Sequence, residues 1–213
     1  MQECIERVMA ALRKNRMCAE YVSRKEDVLP LVKTLIPEGC TVATGGSRTL
    51  DECGVTDLLR SGAYLYYDRN DPALSAEEKA AMTARGTTAD VYLCSSNAVT
   101  ENGELYNVDG FANRVAAIAN GPKKVIMVVG INKIVPDINA AIRRVKTIAA
   151  PLNTKRLNCD TYCLRTGVCM GLDGGMTDGC HSPGRICCDY LISAHQRLEN
   201  RIHVILVGES LGF

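Results

Sequence analysis

Four cysteines in a glycine-rich stretch, residues 158–188, are the first residues of this sequence that suggest chemistry. Five, ten and six residues separate Cys163, Cys169, Cys180 and Cys187. Four thiolates are a donor set that zinc and iron–sulfur clusters both accept, although the Cys-x-x-Cys spacing of structural zinc sites is absent. The polar surroundings favour a metal site over cysteines that pack as small apolar side chains. We therefore expect a cysteine-ligated zinc ion or iron–sulfur cluster.

A second candidate site is the segment TGGSRTL, residues 44–50, which follows a short β-branched run. Two glycines after a strand leave backbone N–H groups free for an anion, and hydroxyl side chains add donors. The segment is neither a Walker A loop nor a GxGxxG motif. We predict a cradle for phosphate or carboxylate, with an ordinary strand-to-helix turn as the alternative. The predicted ligands are Thr44, Gly45, Gly46, Ser47 and Thr49.

The third candidate is the polar segment SSNAVTENGELYNVDG, residues 95–110, which follows a buried strand and contains an Asn-Gly hairpin signal. In open α/β sheets, ligands bind beyond the carboxyl ends of strands. We predict Glu101 and Asp109 as acid–base catalysts, with a solvated hairpin as the alternative. Lys133, which follows another apolar run, is either an anion ligand or an exposed loop residue. The other predicted ligands are Ser95, Ser96, Asn97 and Asn107.

Apolar strands alternate with helices along the whole chain. The runs ADVYLC, KKVIMVVG and RIHVILVG are nearly continuous, which is typical of strands buried on both faces. The spacing between them predicts helices, including one with a Ser23–Glu26 capping box, one over residues 48–60 and one over residues 136–148. This order predicts a single domain, residues 1–213, with a three-layer α/β/α fold around a mostly parallel sheet.

The composition narrows the class of protein. The chain has 213 residues, 46% of them hydrophobic, and a formal net charge of +1. Because it has no basic field, we expect no binding of nucleic acid. No apolar run is long enough to span a membrane, and charged residues interrupt the first helix, where a signal peptide would be apolar. We therefore expect a cytoplasmic protein with reduced cysteines, either monomeric or homodimeric.

Several stretches together resemble the LUD domain, a lactate-utilisation family formerly known as a domain of unknown function. They include TGGSRTL, ADVYLCSSNAVTENGELYNVDGFANRVAA, GPKKVIMVVGINKIV and RVKTIAAPLNTKRL. The resemblance implies a fold like that of the glucosamine-phosphate isomerase, ribose-phosphate isomerase and CoA-transferase superfamily, with Asp90 as a further pocket residue. It also implies a cysteine pattern like this one, except that the segment MGLDGGMT, residues 170–177, lengthens the middle gap.

The resemblance implies a metabolic role rather than a defined reaction. Some family members belong to a lactate-oxidising system whose companion proteins carry iron–sulfur clusters, and this chain has neither a flavin nor a nicotinamide motif. The first hypothesis is an accessory or electron-transfer component of lactate or 2-hydroxy-acid oxidation. The second is an enzyme of the sugar-phosphate isomerase or CoA-transferase type that acts on a small anionic metabolite. The third is a non-catalytic binding or assembly module, so whether the chain is an enzyme stays open.

Overall fold

A six-stranded parallel sheet forms the centre of the computed structural model, which describes residues 2–213. Every hydrogen-bonded pair of strands in this sheet is parallel, and the central strands are fully buried because helices cover both faces. In spatial order the strands are β1 (Cys18–Val22), β10 (Ile202–Val207), β7 (Lys124–Gly130), β4 (Val91–Cys94), β2 (Thr41–Thr44) and β3 (Leu65–Tyr67).

Two helical layers sandwich this sheet. On one face lie α1 (Gln2–Lys14), which buries one apolar stripe, and α6 (Asn113–Ala119). On the other face lie α2 (Val28–Leu35), α3 (Arg48–Glu52) and α4 (Val55–Arg60). Each layer forms its own apolar core with alternate residues of the strands, since successive side chains of a strand point to opposite faces. The predicted three-layer α/β/α fold is therefore confirmed.

A second, smaller sheet carries the hairpin and was not predicted as a sheet. Its four strands in spatial order are β8 (Ile134–Val135), β5 (Ala98–Thr100), β6 (Leu105–Asp109) and β9 (Asp189–Ser193). Packed against it is a long helical segment, in which a π-helical turn (Val145–Ala149) joins α7 (Ile138–Arg144) to α8 (Ala150–Leu157). The remaining helices are α5 (Ala76–Arg85) and α9 (Tyr162–Thr166).

Two local predictions were wrong, and both errors have a backbone cause. The Ser23–Glu26 capping box does not form, because a short 3-10 turn (Lys25–Asp27) precedes α2 and begins at Arg24 without a side-chain cap. The single helix over residues 48–60 is two helices, because Gly54 adopts a left-handed conformation with φ of 70° between them. Within residues 2–213, no helix is both long and apolar enough to cross a membrane.

Candidate functional site

A polar cleft of about 840 Å³ opens beyond the carboxyl ends of β2, β4 and β7. This is the edge at which open α/β sheets bind their ligands, because loops that leave neighbouring parallel strands converge there. Most of the side chains predicted as ligands lie along its wall, together with one of the two predicted catalytic carboxylates. The predicted residues that line the cleft are Thr44, Gly45, Gly46, Ser47, Thr49, Ser95, Ser96, Asn97, Asp109 and Lys133.

The glycine loop enters the cleft directly from β2. Gly45 is buried and its N–H donates to the Leu93 carbonyl at 2.9 Å, so this N–H is not free for a ligand. Gly46 is exposed on the cleft side. Ser47 caps α3, where its hydroxyl accepts from the Leu50 N–H at 3.3 Å. The loop therefore presents Gly46 to a ligand, while Gly45 and Ser47 chiefly hold its shape.

Arg114 organises the strand-end segment from the side of α6. Its guanidinium donates to the side-chain oxygens of Asn107 at 2.6 Å and Asn97 at 2.9 Å, and to the carbonyls of Ser95 at 3.2 Å and Val108 at 2.7 Å. None of these acceptors carries a charge. Arg114 consequently fixes the cleft wall, and its guanidinium forms no salt bridge with a described residue.

Asp109 lies on the cleft wall with its carboxylate engaged by backbone groups. Its oxygens accept from the N–H groups of Gly110 at 3.1 Å, Arg114 at 2.7 Å and Val115 at 3.2 Å. Such bonds fix the start of α6, which begins after Ala112, a residue in a left-handed conformation with φ of 56°. The structure therefore gives Asp109 a positioning task, and its role as an acid or base stays a prediction.

Lys133 is the most unusual side chain of the cleft. It ends a 3-10 turn (Ile131–Lys133) that follows β7, and it is only 3% exposed. Its ammonium donates to the hydroxyls of Thr49 at 2.9 Å and Ser95 at 3.0 Å. Burial, followed by the nearby charges of Arg144 and Arg114, lowers the pKa of Lys133 to about 7.

No carboxylate of the described residues pairs directly with the cationic groups around Lys133, although the charge of Glu52 opposes the lowering of its pKa. No salt bridge among residues 2–213 includes Lys133, Arg114 or Arg144. Arg144 is 6% exposed and donates only to the carbonyls of Asn132 at 3.1 Å and Asn97 at 2.7 Å, and burial lowers its pKa. Buried charges normally pair with opposite ones, whereas Lys133 and Arg144 are both buried without a salt bridge among the described residues.

Three arginines that matter here escaped the sequence-based prediction. Arg114 and Arg144 lie inside stretches that resemble the LUD family, but an arginine on a helix usually faces solvent. Arg69 lies in the turn after β3 and lines the cleft, where its Nε is buried without a hydrogen-bond partner among residues 2–213. The only signal that pointed to Arg114 and Arg144 was their place in the family stretches.

The structure does not bring the remaining predicted pocket residues into the cleft. Glu101, at the tip of the hairpin, pairs with Arg7 on α1 at 2.9 Å. Asp90 lies at the amino end of β4, where bonds from Lys123 and Thr41 hold its pKa well below the usual range. Asn107 is fully buried behind Arg114.

The four predicted metal ligands surround one small cavity beside the cleft. Cys163, Cys169, Cys180 and Cys187 all line a space of about 30 Å³, room for about one or two water molecules. Burial, followed by the charges of the other three thiols, raises the pKa of Cys187 to about 12. The long middle gap of the cysteine pattern therefore does not keep the thiols apart.

Hydrogen bonds hold two of these cysteines in place. Arg185 donates to the carbonyls of Cys180 at 3.0 Å and Cys187 at 2.8 Å. Burial opposes ionisation of Cys180, but hydrogen bonds from Ser182 and the Tyr162 N–H outweigh it and lower its pKa. Four thiols fit zinc or iron as a donor set. Within the described residues, however, no group of three or more His, Cys, Asp or Glu side chains is arranged to hold a metal ion.

The cleft and the cysteine cavity share a wall. Val145, Ala150 and Cys187 line both spaces. Val145 begins the π-helical turn, and Ala150 begins α8. Single π turns inside helices are frequent at functional sites. The cleft and the cysteine cavity therefore adjoin each other at these three residues.

Comparisons with known proteins agree with this architecture. A solved structure, a DUF162 family protein from Deinococcus radiodurans, matches with a TM-score of 0.51 and 18% sequence identity over 97% of each chain. At that identity the likeness shows the fold alone. No curated protein matches the chain. The sequence profile of the LUD domain matches residues 5–207. Since this match covers nearly the whole sequence, the chain belongs to the LUD domain family.

Proposed function

We propose that the cleft binds a small anionic metabolite and that the chain acts on it as a small-molecule enzyme. The observation that carries the proposal is a pair of cationic side chains at the cleft wall that form no salt bridge with a described residue. Lys133 and Arg114 line the cleft, and every hydrogen bond that their side chains donate goes to a neutral acceptor. A bound carboxylate or phosphate would supply the missing counter-charge.

The rest of the wall supports the same kind of ligand. The loop from Gly46 to Thr49 lies between two cationic groups, since Arg69 Nη2 is 3.6 Å from the Cβ position of Gly46 and Lys133 contacts Thr49. The buried Nε of Arg69 is a free donor on this path. Such an arrangement suits a compact anion whose charge lies near Arg69 and whose reacting group lies near Lys133.

Ligand-induced stabilisation tests the proposal directly. Thermal unfolding is followed with inorganic phosphate, pyruvate, lactate, dihydroxyacetone phosphate and acetyl-CoA, each added separately to the reduced protein. A ligand at a hundred times its dissociation constant stabilises the folded chain by about 2.7 kcal/mol, and this gain is expected to shrink in Lys133→Gln. The proposal is wrong if no anion raises the unfolding temperature of the wild-type chain.

A second candidate function rests on the cysteine cavity. We propose that its four thiols take up a thiophilic metal, which would make the chain an accessory component of lactate or 2-hydroxy-acid oxidation. Both a zinc ion and an iron–sulfur cluster accept four thiolates as ligands. Bound zinc would hold the glycine-rich stretch in place, whereas an iron–sulfur cluster would carry electrons.

Metal content after purification without oxygen decides between these roles. One zinc per chain supports a structural site, and iron with labile sulfide supports electron transfer. The variant Cys169→Ser/Cys187→Ser removes two cavity thiols and is expected to lose the metal. Cys18→Ser/Cys40→Ser is the matched control, because both of those thiols are free and lie outside the cavity. Equal metal content in the two double variants would exclude this site.

A further inference from the structure

We propose that Lys133 forms a covalent imine with a ligand that carries both an anionic group and a ketone or aldehyde. The inference rests on the proposed anion-binding function of the cleft and names the chemical class of its ligand. Two ligand types share this chemistry, a 2-oxo acid and a carbonyl-bearing sugar phosphate.

The position of the amine is the first argument. Lys133 lines the cleft at the carboxyl end of the parallel sheet, and its Nζ lies 3.3 Å from the Cβ position of Gly212, another cleft residue. The 3-10 turn fixes its backbone, and the hydroxyls of Thr49 and Ser95 fix its head group at 2.9 and 3.0 Å. A lysine that is held on both sides loses little further freedom when it reacts.

The charge state is the second argument. An amine is nucleophilic only when it is neutral, and a buried lysine beside other cations favours the neutral form. Lys133 has Arg144 and Arg114 nearby and no carboxylate bonded to it. The largest opposing influence is Glu52, whose carboxylate accepts from the Gly212 N–H at 2.8 Å and lies 3.8 Å from the guanidinium of Arg48. With a pKa of about 7, close to half of this amine is neutral at pH 7.

The two hydroxyl partners are the third argument. A hydroxyl accepts from an ammonium and also donates to a neutral amine, so Thr49 and Ser95 stay bonded in both protonation states. As nitrogen bonds to the carbonyl carbon, the carbonyl π electrons move to oxygen. The two hydrogens of the amine then leave with that oxygen as water, and a carbon–nitrogen double bond remains. Hydroxyls on both sides of the amine provide a path for these protons.

Reductive trapping tests the proposal. The wild-type chain is incubated with pyruvate or dihydroxyacetone phosphate and sodium cyanoborohydride, which donates hydride to the imine carbon and leaves a stable secondary amine. We expect one adduct per chain by intact mass, and peptide mapping is expected to place it on Lys133. Lactate, which has no carbonyl, is expected to give no adduct. The probe that is trapped identifies the ligand type.

The controls separate this inference from the proposed function. Lys133→Arg keeps the charge and is expected to lose the adduct, whereas Lys155→Arg, an exposed lysine outside the cleft, is expected to keep it. Mapping on the wild-type chain gives the answer even if Lys133→Arg does not fold. A probe that raises the unfolding temperature without being trapped overturns the imine and leaves anion binding intact. Adducts spread over surface lysines also overturn it, and the absence of both stabilisation and trapping overturns both proposals.

Discussion

Gly45 and Arg114 lie so close together that a methyl group on Gly45 would be 2.9 Å from the Cδ of Arg114. The same methyl group would lie 3.1 Å from the Tyr92 hydroxyl. The contact joins the glycine loop after β2 to the arginine that organises the strand-end segment. Absence of a side chain at residue 45 is therefore a condition for the shape of the cleft.

The first prediction follows from this contact. Gly45→Ala is expected to lower the free energy of unfolding by about 1–3 kcal/mol, because the added carbon overpacks a buried site. Gly46→Ala is the matched control, since its nearest neighbour, Arg69 Nη2, lies at an ordinary 3.6 Å. That change is expected to stay within about 0.5 kcal/mol. Urea unfolding of the three proteins measures both values, and equal stabilities would contradict the tight contact.

The second prediction concerns the dependence of stability on pH. The folded pKa of Lys133 is about 7, below its ordinary value of about 10.4. Between these values the unfolded chain binds a proton that the folded chain does not, so stability rises with pH. Relative to Lys133→Met, the wild-type free energy of unfolding is expected to rise by about 1.4 kcal/mol per pH unit in this window. Urea unfolding of both proteins from pH 7 to pH 9 measures these free energies. If the two free energies change in parallel with pH, the pKa of Lys133 is ordinary and the prediction is wrong.

The third prediction concerns the anion subsite at Arg69. Arg69→Gln removes the unpartnered guanidinium from the cleft wall, and the dissociation constant of a bound anion is expected to rise about tenfold, which corresponds to about 1.4 kcal/mol. Arg85→Gln is the control, since that side chain lies over the Tyr67 ring at 5.7 Å and does not line the cleft. Isothermal titration calorimetry with whichever anion stabilises the wild-type chain gives both constants. Equal affinities would place the anion elsewhere.

The fourth prediction concerns the glycine-rich insertion, residues 170–177. Lys146, in the π-helical turn, is 5% exposed and donates to the carbonyls of Gly171, Gly174 and Gly175. Bonds from a charged donor contribute about 1.5–3 kcal/mol each. Lys146→Met is therefore expected to raise amide hydrogen exchange across the insertion, whereas Lys155→Met is expected to leave it unchanged. Unaltered exchange in Lys146→Met would show that other contacts hold the insertion.

The sequence predicted the large elements well, because continuous apolar runs report burial directly. The runs ADVYLC, KKVIMVVG and RIHVILVG contain β4, β7 and β10, and the Asn-Gly signal marks the turn between β5 and β6. The two-residue strand β8 is too short to produce a periodic pattern. The break at Gly54 was missed because a single glycine inside a helical pattern also occurs in unbroken helices.

The sequence indicated where the candidate site residues lie in the fold, but it did not indicate the charges around Lys133. The structure places predicted residues from the ends of β2, β4 and β7 along one cleft, since topology brings strand ends together, and ligand binding there stays a prediction. Glu101 was expected beside them, yet its hairpin points towards α1, where Gly103 packs against the Ala11 backbone. The pKa of Lys133 depends on which charged groups lie near it in the folded chain. A sequence pattern does not show that no carboxylate pairs with this amine.

The strand order of the main sheet has a consequence for synthesis of the chain. β10, which comes late in the sequence, lies between β1 and β7, so that Cys18 pairs with His203 and His203 pairs with Ile126. Until residues 202–207 leave the ribosome, both neighbouring strands carry an unpaired apolar edge, and such edges promote association between chains. The sheet is therefore completed only when β10 has been synthesised and has inserted between β1 and β7.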